Sequence, residues 1–186
     1  WRYNPDGTLD TTFNGQGWVV HNSAAGGNSH DTGNSIKIDP SGRILVAGES
    51  YSAGGSDMAV WRYNPDGTLD TTFNGQGWVV HNNAAGGNNV NTGRSITLDS
   101  SDRILVAGYS VNTASYYDLV IWRYNPDGTR DTTFNGKGWV NHNNAASGTD
   151  FNGGNGIVLD SSGRILVAGF GTGSGGDDMV IWRFNP

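Results

Sequence analysis

The sequence predicts an all-β fold built of tandem four-stranded antiparallel blades of the β-propeller type. The octapeptide WRYNPDGT and its shorter form WRFNP begin at Trp1, Trp61, Trp122 and Trp182. The chain therefore repeats with a period of about sixty residues, and a fixed period of this length is typical of propellers, solenoids and other arrays. The composition agrees, because 30 glycines and only 15% charged residues favour short strands joined by tight turns over helices.

The second repeat shows the four strands of one blade most clearly. They are predicted at residues 34–39, 43–50, 57–64 and 77–82. The first strand alternates apolar and polar side chains, and a Pro-Ser-Gly turn leads into the second. The two middle strands are apolar on both faces, which indicates a central position in the sheet. An Asn-Pro-Asp-Gly turn and a one-turn helical corner, predicted to be capped by Asp70, precede the more polar fourth strand.

The repeats predict a single array over residues 1–186. Its units are approximately 1–60, 61–121 and 122–181, and residues 182–186 begin a fourth. The chain begins with two strands that correspond to the third and fourth strands of a blade. Two complete four-stranded blades follow, and the chain then continues with the first three strands of another blade. This is a partial propeller or an open array, because closed propellers typically need about four to eight blades.

Three arrangements would complete such an array. The chain is a segment of a longer tandem array, or two copies form a six-bladed ring, or the sheets stack openly into a filament. In the ring, the fourth strand that is predicted before the first complete blade completes the last blade of a partner or of its own chain. In every case the exposed terminal sheet of the chain is an adhesive surface, since unpaired edges and bare apolar faces recruit another copy. The remaining alternative is a self-sufficient monomer.

Charge and composition argue against several classes of partner. The net charge is −6 and no Lys/Arg cluster is present, so we expect no nucleic-acid partner. No apolar run approaches about 18 residues, so no membrane span is predicted. The chain has no cysteine, which excludes disulfides and zinc–thiolate sites. Glycine-rich phosphate-binding motifs are also missing, and we expect no cofactor.

Comparison of the repeats with one another locates the variable stretches. They are the loops from the fourth to the next first strand (23–33, 83–93 and 144–154) and from the second to the third strand (49–56, 109–117 and 170–177). Both sets emerge at one end of the blades, which predicts a recognition surface there. The side chains expected to bind a glycan or a surface protein are Tyr51, Tyr109, Tyr116, Tyr117 and Phe170. The alternative interpretation is drift in loops that carry no structural constraint.

Three aspartates occupy equivalent positions just before the third strand of each blade: Asp57, Asp118 and Asp178. A ring of carboxylates of this kind would suit a cation such as Ca²⁺. The competing interpretation, which the absence of an Asp-x-Asp-x-Asp-Gly loop favours, is a local turn in which each aspartate accepts backbone N–H bonds. The sequence therefore predicts no metal site, and these three aspartates are only weak candidates for cation ligands.

Each repeat also carries an aspartate in its NPDG turn and another in DTTF. The pairs are Asp6 and Asp10, Asp66 and Asp70, and Asp127 and Asp131. Glycosidase chemistry needs two carboxylates in unlike environments beside one bond, whereas these pairs are copied in every repeat and turn chemistry accounts for both members. We therefore predict structural roles for them and no enzyme activity.

Two further residue types recur at fixed positions. His21, His81 and His142 are expected to be surface residues of the fourth strands, where they would make an edge-to-edge contact between molecules sensitive to pH. Tryptophan–arginine pairs are expected to connect neighbouring repeats by stacking or by Arg–Asp bridging. The residues assigned to these contacts are Trp1, Trp61, Trp122, Trp182, Arg62 and Arg123.

The paired strings RYNPDGTLDTTFNG–GW and LDSSGRILVAG resemble the bacterial delta-60 repeats, and the resemblance covers the whole chain. The departures are small: Asn141 replaces a valine, Arg130 replaces a leucine and Asp102 replaces a turn glycine. The resemblance implies predicted β-propeller units of secreted or surface bacterial proteins, with no enzyme activity.

The sequence thus predicts a non-enzymatic, self-assembling structural module of a secreted or cell-surface bacterial repeat protein. Its partners would be further repeats or other copies of itself, including in a fibrous assembly. The alternative function is a ligand- or glycan-binding propeller module that uses the variable loop face.

Overall fold

The computed structural model describes residues 1–27, 30–145, 151–173 and 175–185, with backbone alone for 88 and 89. These residues form eleven strands in three antiparallel sheets, which we call blades 1, 2 and 3. Blade 1 contains β1 (Asp31–Ile38), β2 (Ile44–Ser52), β3 (Gly55–Tyr63) and β4 (Trp78–His81). Blade 2 contains β5 (Gly86–Leu98), β6 (Ile104–Asn112), β7 (Tyr117–Tyr124) and β8 (Trp139–His142). Blade 3 contains β9 (Asn152–Leu159), β10 (Ile165–Gly173) and β11 (Gly176–Phe184).

Within each blade the strands pair in chain order, each antiparallel to the next. The predicted all-β fold of four-stranded repeats is therefore confirmed in blades 1 and 2. Blade 3 has three strands in the part of the chain that the structure describes. Blades 1 and 2 meet through a parallel bridge between Ser56 and Val90, and the sheets do not close into a ring.

Local turn chemistry explains why the strands begin and end where they do. In the turn between β1 and β2, one carboxylate oxygen of Asp39 accepts the backbone N–H groups of Ser41 and Arg43, each at 2.9 Å. The other oxygen accepts Arg43 Nε at 2.6 Å. The equivalent turns of blades 2 and 3 repeat this arrangement. The predicted corner is a 3₁₀ turn, Phe73–Gly75.

The predicted strand pair within residues 1–22 is wrong. This segment contains a 3₁₀ turn, Phe13–Gly15, and an isolated bridge between Tyr3 and Leu9, but no strand. A ladder needs a neighbouring strand to supply its hydrogen bonds, and no such neighbour lies beside this segment among the described residues. We call residues 1–27 the N-terminal segment.

The blades pack face to face, and the same positions meet at both junctions. We call the side of a blade that contacts the next blade its back face, and the opposite side its front face. The back face of blade 1 (Leu45, Ala47, Met58, Val60) packs on the front face of blade 2 (Ile96, Ile104, Val106, Trp122). The back face of blade 2 (Leu105, Ala107, Leu119, Ile121) packs in the same way on blade 3 (Ile157, Ile165, Val167, Trp182).

Part of each terminal face of the stack is exposed in the single chain, although Trp61 and Tyr63 of the front face of blade 1 are buried beside the N-terminal segment. On the back face of blade 3, Met179 is 75% and Ile181 is 62% exposed, although the equivalent Met58 and Val60 are fully buried in blade 1. On the front face of blade 1, Ile36 is 66% exposed, whereas the equivalent Ile96 is 6% exposed. Side chains that form a core between blades therefore face solvent at both ends.

Candidate functional site

The repeated arginines link each blade to the turn of the next blade. Arg62, 3% exposed, pairs with Asp70 at 2.7 Å and lies 4.6 Å over the Phe73 ring. Its guanidinium also donates to the carbonyl of Pro126, in the NPDG turn that follows β7. Burial acts to raise the pKa of Asp70, but the hydrogen bond from Thr72 and the charge of Arg62 outweigh it and hold the pKa below its usual value.

Arg2 makes the same contacts one repeat earlier. It pairs with Asp10 at 2.7 Å, lies 4.7 Å over the Phe13 ring and donates to the carbonyl of Pro65 at 2.7 Å. In addition, Trp78 Nε1 donates to the carbonyl of Ala24 at 3.0 Å. The N-terminal segment thus lies against blade 1 as the corner and fourth strand of a preceding blade would.

Trp122 and Trp182 lie at the junctions between blades, whereas Trp61 packs against the N-terminal segment. Arg123 pairs with Asp131 at 2.7 Å. Trp122 Nε1 donates to His81 Nδ1 of the preceding blade at 2.7 Å, and Trp182 makes the corresponding bond to His142 at 3.3 Å. Trp61 Nε1 is buried without a hydrogen-bond partner among the described residues. Trp1, in contrast, is 82% exposed.

The prediction that the three equivalent histidines are surface residues is wrong for His81. Its ring is partly buried against Trp122 and Trp139, with ring centroids 6.4 and 4.5 Å away. Burial, together with the charges of Arg130 and Lys137, lowers its pKa from 6.5 to about 4. Neutral His81 is therefore a structural acceptor between two blades.

The three aspartates proposed as weak cation ligands occupy unlike environments. Asp118 is buried and accepts side-chain amides from Asn112 at 2.8 Å and Asn141 at 3.0 Å. Asp57 is also buried, and burial raises its pKa despite an opposing hydrogen bond from Ser52. Asp178 is exposed. Within the described ranges, no three His, Asp or Glu side chains converge in an arrangement that would hold a metal ion.

The repeated aspartate pairs are engaged in turns. Asp66 accepts the backbone N–H of Thr68 at 2.9 Å and its hydroxyl at 2.7 Å. Asp70 accepts the equivalent groups of Thr72 at 3.1 and 2.6 Å, in addition to Arg62. The pairs at 6 and 10 and at 127 and 131 have the same local partners.

A polar cavity of about 390 Å³ lies where the first and second strands of the blades converge. We call it the inner-strand pocket. Its lining residues are Asn34, Glu49, Thr92, Arg94, Tyr109 and Asn155. They come from β1, β2, β5, β6 and β9, so all three blades contribute.

Side chains within the inner-strand pocket hold one another in place. The Thr92 hydroxyl donates to Glu49 Oε2 at 2.5 Å. The Arg94 guanidinium lies 5.0 Å over the Tyr109 ring and its Nη2 donates to the Tyr109 hydroxyl at 3.3 Å. Asn34 Nδ2 donates to a backbone carbonyl, which leaves its amide oxygen to accept. Glu49 and Arg94 form no ion pair within 4 Å among the residues described.

The structure brings together most of the aromatic residues that the sequence proposes for binding. Tyr109 and Tyr117 stack at 4.7 Å, and Phe151 packs on Tyr117 at 5.1 Å and on Tyr116 at 5.8 Å. Phe170 fills the space beside Gly153, where a Cβ would lie 2.6 Å from Phe170 Cε1 and 3.4 Å from Tyr109 Cδ1.

Tyr51 lies apart from these rings. It packs on His30 at 5.7 Å and is 37% exposed. Residues 28–29, 146–150 and 174 of the variable loops lie outside the described residues.

The sequence analysis missed five of the six pocket residues. Glu49, the only glutamate in the chain, is equivalent to Tyr109 and Phe170, directly after the shared RILVAG string. One position of the repeat is likewise occupied in turn by Asn34, Arg94 and Asn155. Position-by-position comparison along the strands, rather than along the loops, is the signal that would have located the pocket.

Comparison with known proteins gives one family and several similar structures, among them the following two. A fucose lectin from Kordia zhangzhouensis in complex with methyl-fucoside aligns with a TM-score of 0.48 at 16% identity, over 80% of this chain and 90% of the lectin chain. A bifunctional GH43-CE protein from Bacteroides eggerthii aligns with a TM-score of 0.47 at 14% identity, over 81% of this chain and 19% of its own. No curated protein matches the chain in sequence.

The family model described as a domain of unknown function (DUF5122) beta-propeller matches residues 1–13, 40–73, 100–134 and 161–186. These ranges cover more than half of the chain and contain the second and third strands of all three blades. The chain belongs to the DUF5122 beta-propeller family.

Proposed function

We propose that the chain is a non-enzymatic structural module whose two terminal faces are covered by a second copy of itself. The observation that carries the proposal is the equivalence of the faces. The residues exposed on the back of blade 3 match those that blades 1 and 2 bury against a following blade. The residues exposed on the front of blade 1 match those that blades 2 and 3 bury against a preceding blade.

Buried polar atoms at the front face support the same partner. Asn91 donates to the carbonyl of Ser56, in the preceding blade, at 3.4 Å. Asp31 of blade 1 is equivalent to Asn91, and both of its carboxylate oxygens are buried without a hydrogen-bond partner in the described part of the chain. The same is true of the indole nitrogen of Trp61. Unpaired buried polar groups destabilise a fold. In blade 2 the indole equivalent to Trp61 has His81 of the preceding blade as its acceptor. The carboxylate of Asp31 can only accept, so it needs a donor from a partner and not the carbonyl that Asn91 uses.

A cavity of about 340 Å³ lies beside these groups, between the N-terminal segment and blade 1. It is lined by Val19, Val46 and Trp61, among others. At the next junction, the equivalent residues pack against Leu45, Ala47, Met58 and Val60 of blade 1. The back face of blade 3 from a second copy carries the matching side chains to fill this cavity.

Association also explains the unpaired outer edge of blade 3. In blade 1, β4 pairs with β3 so that Trp78 lies opposite Trp61 and His81 opposite Met58. The equivalent register places Trp18 and His21 of a second copy opposite Trp182 and Met179 of β11. The N-terminal segment is already held on blade 1 by Arg2 and Trp78. It would then supply the fourth strand that blade 3 lacks in the described residues, as in β-strand addition.

One overlap has to be resolved for this arrangement. Residues 1–3 and residues 182–184 are equivalent and would occupy the same edge position. Trp1 and Tyr3 are 82% and 61% exposed, whereas Trp182 is 6% exposed, so residues 1–3 are the ones displaced. Arg183, which is exposed in the single chain, then takes the place of Arg2 beside Asp10.

The non-enzymatic part of the proposal is supported by the engagement of the repeated carboxylates in turns and ion pairs. The secreted or cell-surface location is supported by the resemblance to bacterial delta-60 repeats. In the described residues, the chain has no helix of the length and hydropathy needed to cross a bilayer.

Light scattering after size-exclusion chromatography tests the association. We expect a concentration-dependent mass of twice that of one chain for a closed pair, or a ladder of higher multiples for open stacking. Ile181→Asn removes an apolar side chain that would be buried, worth about 1.5–3 kcal/mol, and should weaken association roughly tenfold to hundredfold. Val80→Asn is the matched control, because asparagine occupies the equivalent position 141. The mass of a single chain at every concentration would contradict the proposal.

A further inference from the structure

The inner-strand pocket breaks the symmetry of the repeats. Strings such as RILVAG and DTTFNG recur unchanged in successive repeats. In the pocket, equivalent positions carry unlike side chains: Glu49 and Tyr109 at one position, and Asn34, Arg94 and Asn155 at another. A scaffold role alone gives no reason for unlike polar side chains at these positions. The pocket therefore differs in kind from the contacts between blades.

Opposite charges share the pocket without pairing with each other. Glu49 accepts the Thr92 hydroxyl through Oε2, which leaves Oε1 to accept from a ligand. The Arg94 guanidinium lies against the Tyr109 ring and uses Nη2 in its bond to the Tyr109 hydroxyl, which leaves its other N–H groups to donate to a ligand. A planar carboxylate, a planar guanidinium and two amides each present paired donors or acceptors.

We propose that the inner-strand pocket binds a neutral saccharide residue. A sugar hydroxyl both donates and accepts, so adjacent hydroxyls can donate to Glu49 while they accept from Arg94 or Asn155. The volume of about 390 Å³ lies within the range of small-ligand sites, and the polar lining suits a ligand rich in hydroxyl groups. The proposal does not depend on association, because all six lining residues belong to one chain.

Saturation-transfer NMR with methyl glucoside, methyl galactoside and methyl mannoside tests this inference on the unmodified chain. We expect transfer to at least one glycoside, with the affinity weakened about tenfold or more in Glu49→Gln and in Arg94→Ala. Val80→Asn is the control, because Val80 is an exposed residue of β4 outside the pocket, and it should change the affinity less than about twofold. Far-UV circular dichroism of each variant establishes that the sheets are retained.

Three outcomes would overturn the inference. One is the absence of saturation transfer to all three glycosides at about ten millimolar, the range of weak monosaccharide binding. Another is binding that Glu49→Gln and Arg94→Ala leave unchanged. The third is binding of a zwitterion such as free glycine when no glycoside binds. This result would mean that Glu49 and Arg94 recognise the opposite charges of an amino acid instead of sugar hydroxyls.

Discussion

At the scale of single residues, burial decides how much a repeated contact stabilises the fold. Arg2 and Arg62 make the same three contacts, to an aspartate, to a phenylalanine ring and to the carbonyl of the next NPDG turn. The side chain of Arg2 is 37% exposed and that of Arg62 is 3% exposed. Water screens the first ion pair and hardly reaches the second.

We predict that Arg62→Ala lowers the free energy of unfolding by about 3–5 kcal/mol, because it leaves the buried Asp70 with only the more distant Arg43, at 3.9 Å, as a cation. Arg2→Ala should cost no more than about 1 kcal/mol. Urea unfolding followed by tryptophan fluorescence measures both. Equal losses in the two variants would show that burial between blades does not set the strength of this contact.

A second residue-scale prediction concerns His81. Its folded pKa of about 4 lies below the unfolded value of 6.5. The unfolded chain therefore takes up a proton as the pH falls below about 6.5, while the folded chain resists until about 4, so stability is lost across this window. Protonation of Nδ1 would also break the bond from Trp122. The loss attributable to His81 should reach about 2–3 kcal/mol near pH 4.

Urea unfolding at pH 7.5 and pH 4.5 checks this prediction. His81→Gln keeps an acceptor for the Trp122 indole but does not titrate, so it should lose less stability than the unmodified chain between the two pH values. His30→Gln, in an exposed position, should behave like the unmodified chain. If His81→Gln loses as much stability as the unmodified chain, the acid sensitivity has another origin.

At the scale of elements, the corner of one blade packs on the NPDG turn of the next. The Asn74 N–H donates to the Asp127 carbonyl at 2.7 Å. Gly128, with φ of +89°, lies so close to Phe73 that a Cβ would be 2.8 Å from the ring. Gly7 has φ of +86°, and a Cβ there meets nothing within 4 Å. Substitution of Gly7 therefore measures backbone strain alone, and substitution of Gly128 measures backbone strain together with crowding between blades.

We predict that alanine at either glycine costs about 1–2 kcal/mol for the left-handed backbone. Gly128→Ala should cost about 1–3 kcal/mol more, because its methyl group clashes with the corner of blade 1. In a chain of this length, the extra cost corresponds to a melting temperature lower by several degrees. Equal melting temperatures for Gly7→Ala and Gly128→Ala would contradict the close approach of corner and turn.

The strands were predictable wherever local signals determine them. Alternation, the two apolar middle strands and the turns at Pro40–Gly42 and Asn64–Gly67 place β1–β4 within a few residues of their observed bounds. The failure in residues 1–22 has a physical reason, since the same local signals do not form a strand without a neighbour. The bond between Trp122 and His81 and the inner-strand pocket were not predicted, because both depend on how whole blades are set against one another.

At the scale of the whole molecule, the chain is a stack of three blades whose two terminal faces expose positions that are buried between the blades. The period in the sequence predicted that each repeat needs a neighbour, and the proposed second copy would cover the exposed Met179 and Ile36. The blade that would cover each face has the same residue pattern as the blades already present. Association of two copies adds up to six blades, which is within the usual range for closed propellers.

The proposed contact between the back face of one copy and the front face of another can be tested by disulfide formation between introduced cysteines, because the chain has no cysteine of its own. Ser95 Oγ accepts the Ile157 N–H at 3.2 Å across the junction of blades 2 and 3, and Ser35 and Ile96 repeat this contact at 3.3 Å. Gly156 is equivalent to Ser95, and a Cβ there meets nothing within 4 Å. In the proposed association, Ile36 of a second copy would face Gly156.

The measurement is disulfide formation in an equimolar mixture of Ile36→Cys and Gly156→Cys, resolved by non-reducing electrophoresis. The account predicts a linked species of twice the mass of one chain in the mixture and very little in either variant alone. Folded variants that do not link in the mixture, or that link equally well alone, would contradict the pairing of these two faces.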